Sequence, residues 1–61
     1  MDHLPLSDIP MLVSSINFLL RDEIFDNLDQ ICLCYGIERA EMDLILASGG
    51  FRYDEPNNHV L

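Results

Sequence analysis

The 61-residue chain carries 11 acidic side chains against three arginines and no lysine, a formal charge of -8 that excludes a phosphate-neutralising face of several cations and disfavours anionic membranes. Its composition, 49% hydrophobic with three glycines and three prolines, is globular rather than disordered, and at this length folding buries only about 60% of the surface an unfolded chain exposes. One small domain over residues 1–61 follows, thin in stability, with a homodimer as the expected way to bury more surface.

Met1 to Ser7 is short and mixed, and Pro5 discourages regular structure there. The first helix is predicted over 9–23: Ser7 and Asp8 supply cap-type side chains, and Pro10 suits the first turn, where its missing N–H costs no bond. Ile9, Leu12, Val13, Ile16, Leu19 and Leu20 recur at three- and four-residue steps and form one apolar face, which is the core side. A second helix is predicted over 27–35, opened by Asp26 with Asp29 completing a capping-box-like pair. Its stripe is Leu28, Ile31, Cys32 and Tyr35, and Gly36 ends it, because glycine tolerates the left-handed conformation common after a helix.

The third helix, over 39–48, has Ile37 before it and Glu38, a poor cap residue, at its start; Met42 lies where an apolar staple across the cap would reach. Met42, Ile45 and Leu46 continue the core face, flanked by Ala40, Leu44 and Ala47, until Gly49 and Gly50 stop the helix. The remainder, 51–61, reads as a short hairpin. Phe51 and Tyr53 alternate with Arg52, a turn cluster runs from Asp54 through Glu55, Pro56, Asn57 and Asn58, and Val60 and Leu61 resume apolar character. Two strands alone are marginal in water, so the hairpin must lie on the helices or pair with another chain. The fold class is mainly α: three helices, the last two a helix-turn-helix-like pair, then a C-terminal β-hairpin.

Chemistry-bearing residues are sparse. Cys32 and Cys34 leave a helix on nearly opposite sides and cannot bridge each other, and with only His3 and His59 elsewhere they lack zinc-site spacing. They read as small apolar residues in a reducing compartment. The neighbours Asp22 and Glu23, and Glu41 and Asp43, have no basic or nucleophilic partner in sequence and read as solvated faces; both histidines are expected in solvent. Without a Gly-rich phosphate loop, a nucleophile elbow or a metal helix motif, no catalytic residue, metal or cofactor is expected, and the chain is not expected to be an enzyme.

Three constellations stand out beyond these. Leu28 to Ala47 fits the steric pattern of a helix-turn-helix, and a hairpin after such a unit is the outline of a winged helix. Its third helix offers Glu38, Glu41 and Asp43 outward with Arg39 alone basic, whereas groove readers rely on Arg and Lys, so nucleic acid is an unlikely partner. Asn17, Arg21 and Asp22 form a polar cluster at the end of the first helix, read as structural. Met11 and Phe18 lie off the main stripe on the back of that helix, and Leu33 of the second helix can join them. Either a three-helix core wraps far enough to cover this strip, or it is a patch for a protein partner or for self-association. Dimerisation through the strip or through the hairpin edge is the resulting expectation.

Leu4, Pro5, Asp8 and Pro10, then Leu12, Ser14 and Asn17, Leu20-Arg21-Asp22, Leu28-Asp29, Cys32, Leu46-Ala47-Ser48, Tyr53-Asp54 and Asn58 follow one another in an order that resembles a family of short acidic bacterial proteins catalogued as a domain of unknown function. The likeness spans nearly the whole chain and departs at Glu23 to Phe25, Gly36 and Gly49-Gly50. It implies a bacterial, intracellular setting and brings no reaction, ligand or partner. Met1 to Pro10 has neither the basic start nor the apolar core of a signal peptide, and no apolar run reaches the roughly 18 residues of a membrane span, so a cytoplasmic location without membrane contact is expected. The expected function is that of a protein-protein interaction or structural module, with a winged-helix-like regulator as the alternative.

Overall fold

The computed structural model describes residues 3–61, arranged as α1 (Ile9–Arg21), α2 (Leu28–Tyr35), α3 (Arg39–Ser48) and an antiparallel hairpin of β1 (Tyr53–Asp54) and β2 (His59–Val60). The fold is mainly α with a C-terminal hairpin, as its periodicity and turn chemistry predict. Asp8 caps α1, its carboxylate accepting from the Met11 N–H at 3.2 Å, and Pro10 occupies the first turn.

All three helices end the same way. A residue with positive φ follows each, and the next amide donates back across the last turn: Ile24 to the Leu19 carbonyl at 3.0 Å, Ile37 to Cys32 at 2.9 Å, Phe51 to Leu46 at 2.9 Å. This Schellman geometry satisfies carbonyls that a helix end would otherwise leave open. At Gly36 and Gly50 the left-handed residue is a glycine, but after α1 it is Glu23, with φ 58°. That turn is why α1 stops at Arg21, short of the 9–23 span that its composition suggests.

The start of α2 also differs from expectation. Asn27, not Asp26, is the cap, and its side-chain oxygen accepts from the Gln30 N–H at 2.9 Å. The Asp26 carbonyl is held instead by the Asn58 amide at 3.0 Å, and Leu28 enters the core as the first helical residue. Glu38 caps α3 with no side-chain bond, in line with its poor propensity for the position.

The apolar stripes converge on one core in which Leu12, Ile16, Leu28, Ile31, Met42 and Leu46 have no appreciable exposure. Each such side chain contributes roughly 1.5–3 kcal/mol of transfer free energy. Leu4, from the segment read as merely mixed, and Val60 of β2 are buried with them in this core. Ile9, Tyr35 and Ile45 lie at its margin, half-buried. Gly49 does more than stop α3: a Cβ there would come 2.6 Å from Ile9 Cγ2, so the end of α3 meets the start of α1 only because that atom is missing.

Candidate interaction surfaces

The hairpin divides the polar surface into two sides. On the α1 side, Asn17 projects from the helix onto β2, where its side-chain oxygen accepts from the Val60 N–H at 2.7 Å and its amide donates to the Val60 carbonyl at 3.0 Å. One neutral side chain thus stands in for a neighbouring strand. An open cleft of about 400 Å³ follows this junction, lined by Asn17, Leu20, Arg21, Asn57, Asn58 and His59. Its amides are already engaged: Asn57 donates to Asp54 at 2.7 Å, while Asn58 donates to Asp26 and accepts from the Tyr53 hydroxyl. His59 is half-buried rather than solvated, with Nδ1 3.3 Å from the Asn57 carbonyl; His3 is exposed.

On the α3 side, Arg39 gathers three elements. Its guanidinium meets Asp29 of α2 at 2.8 Å, Asp43 one helical turn on at 3.0 Å and Glu55 of the hairpin turn at 3.6 Å, and it lies 4.9 Å over the Tyr53 ring. Burial alone would lower its proton affinity, but the hydrogen bonds and charges of Asp29 and Asp43 outweigh this and hold it above the ordinary arginine value. A second cleft of about 230 Å³, lined by Asn27, Asp29, Arg39, Tyr53 and Glu55, surrounds this cluster.

The Asn17, Arg21 and Asp22 grouping is divided by the structure. Asn17 faces the hairpin, whereas the Arg21 side chain is 75% exposed, 3.5 Å from Asp22 and 5.8 Å over the Phe18 ring. Met11 and Phe18 are 56% and 45% exposed, so the core does not wrap over the back of α1, and Leu33 on α2 is 76% exposed. Leu44, at 73%, is a further exposed apolar side chain; the flank of α3 in the periodicity is where it would be sought. Cys32 is buried and Cys34 exposed, both as free thiols. Burial pushes the Cys32 thiol up, with Asp29 and Asp43 adding to this and Arg39 opposing it, so it stays protonated and a poor nucleophile.

Among the described residues no cluster of three or more His, Cys, Asp and Glu side chains could hold a metal ion, and no helix is long and apolar enough to cross a membrane. Arg39 and the Asn17–Val60 junction escape a reading of local sequence, since only the pairing of Arg39 with Asp43, four residues apart, carries a local signal. One protein-family model, described as Domain of unknown function (DUF4250), matches residues 6–59. No curated protein and no solved structure matches the chain.

Proposed function

Because the chain belongs to the family described as Domain of unknown function (DUF4250), whose description assigns no activity, we propose a function from its own surface: a bacterial, cytoplasmic protein-protein interaction module that takes a protein partner and performs no catalytic step. The observation that carries this is the outward face of α1. Met11 and Phe18 lie two helical turns apart on one side of a helix whose opposite side is sealed in the core, and both expose about half their surface. Asp8 and Asp22 bound that face at its two ends, and the Arg21 guanidinium lies over the Phe18 ring beside it. With a chain charge of -8, the complementary partner is a protein surface with an apolar centre and a basic rim.

A photo-crosslinking residue in place of Phe18, in cells that make the chain, tests this. The expected result is a discrete adduct with a different protein that is lost when Met11→Asp is added and is not formed from the same crosslinker at Glu41, an exposed position on α3. No adduct, or equal adducts from both positions, overturns the reading.

The second reading is a winged-helix-like nucleic-acid-binding regulator, favoured by the order α2, turn, α3, hairpin. The commitment of Arg39 to Asp29, Asp43 and Glu55 weighs against it, because the arginine on the would-be recognition helix is enclosed by carboxylates. The expected outcome is an unshifted labelled DNA duplex at about 0.15 M salt; a shift at micromolar protein would put the regulator first.

A further inference from the structure

The two edges of the hairpin are finished differently. Arg52 and Leu61 exchange both main-chain hydrogen bonds, at 3.1 and 2.8 Å, so the next pair, Tyr53 and Val60, turns its N–H and C=O groups away from the partner strand. On the β2 side the Asn17 amide meets both Val60 groups. On the β1 side the main-chain N–H and C=O of Tyr53 have no partner among the described residues. An open strand edge of this kind is a template for another strand. It is also held in place: Arg39 lies over the Tyr53 ring, and the Tyr53 hydroxyl donates to Asn58.

We propose that this edge pairs antiparallel with the same edge of a second copy, centred on Tyr53, joining two hairpins into one four-stranded sheet across a two-fold axis. In that register Tyr53 and the partner's Tyr53 exchange N–H···O bonds, and the pairs on either side set Arg52 opposite the partner's Asp54 and Asp54 opposite the partner's Arg52. Charge selects this register over its neighbours. Sliding the strands to the adjacent in-phase pairings sets Arg52 against the partner's Arg52, or Asp54 against the partner's Asp54. The side chains are ready for it: Arg52 is exposed and forms no ion pair among the described residues, unlike Arg21 and Arg39. Asp54 accepts from Asn57 through Oδ2, which leaves Oδ1 for a second donor.

The Phe51 N–H, taken by Leu46, stops the new ladder from extending, so the contact is short and the dimer weak. This surface is separate from the back of α1, and each stands without the other.

Sedimentation equilibrium at about 0.15 M salt, where charges more than roughly 8 Å apart are largely screened, tests the pairing. The expected weight-average mass rises toward twice the chain mass at high micromolar concentration. Arg52→Asp alone, or Asp54→Arg alone, weakens association about tenfold, because each sets like charges opposite at two symmetry-related places. Mixing the two single variants restores it, since every cross-strand pair in the mixed dimer is again of opposite sign. Thermal melts of each variant exclude misfolding as the cause, and the Tyr53 amide is expected to exchange more slowly with solvent as wild-type concentration rises. A monomer at all concentrations overturns the proposal, as does a dimer indifferent to Arg52→Asp or a mixture that fails to recover; none of these outcomes touches the Phe18 crosslink.

Discussion

The hairpin is held on one side by an amide and on the other by a guanidinium, and the two work by different physics. Asn17 binds the backbone of Val60, so its hold is indifferent to which side chains the strand carries, and its part-buried neutral bonds are little affected by salt. Arg39 binds the side chains of Asp29, Asp43, Glu55 and Tyr53 at the surface, where ions screen each pair. Position is set by the first and reinforced by the second. In so small a domain both matter, because total stability is only of the order of 5 kcal/mol.

The strongest way to break the comparison is Asn17→Ala. It leaves the Val60 N–H and C=O without partners in a part-buried place and is expected to cost about 2–4 kcal/mol in urea unfolding, with nearly the same loss at low and high salt. A salt-sensitive loss would show that Asn17 acts through charge after all. Next comes Gly49→Ala, which leaves both holds intact but, at the end of α3, pushes on Ile9 at the start of α1. A cost of about 1–3 kcal/mol is expected, partly recovered by adding Ile9→Ala, which removes the methyl in the way.

Arg39→Met is expected to cost about 1–2 kcal/mol at low ionic strength and clearly less at 1 M salt, where the Debye length falls to about 3 Å. Equal losses at both salts would place the effect in the guanidinium stack on the Tyr53 ring rather than in the ion pairs. The smallest change serves as a control away from the hairpin. Glu23→Gly relieves a left-handed non-glycine residue and is expected to raise the unfolding free energy by up to about 1 kcal/mol, and by more than Glu23→Gln, which removes only the charge, bringing the end of α1 into line with those of α2 and α3.

Much of this architecture is written locally. The α1 stripe from Leu12 to Leu20, the stop at Gly36, the poor cap at Glu38 and the turn cluster before Val60 all follow from helical periodicity and turn chemistry, and the structure agrees at each. The order of residues from Leu4 to Asn58 was enough to place the chain in its family. The misses share a cause. Asp26 and Asn27 are both good caps by composition, and the choice fell to Asn27 because Asn58, far along the chain, holds the Asp26 carbonyl. Asn17 looked like a companion of Arg21, but its partner is 43 residues away.

Sequence alone therefore determined the elements, their apolar faces and the acidic character of the surface, because these depend on residues within a turn or two of one another. Only the tertiary structure decided that Leu4 and Val60 join the core, that Arg39 is enclosed by carboxylates from three elements, and that one hairpin edge is sealed by Asn17 while the other is left open at Tyr53. Those outcomes are set by where distant segments meet once the core has collapsed, and no spacing along the chain encodes that meeting.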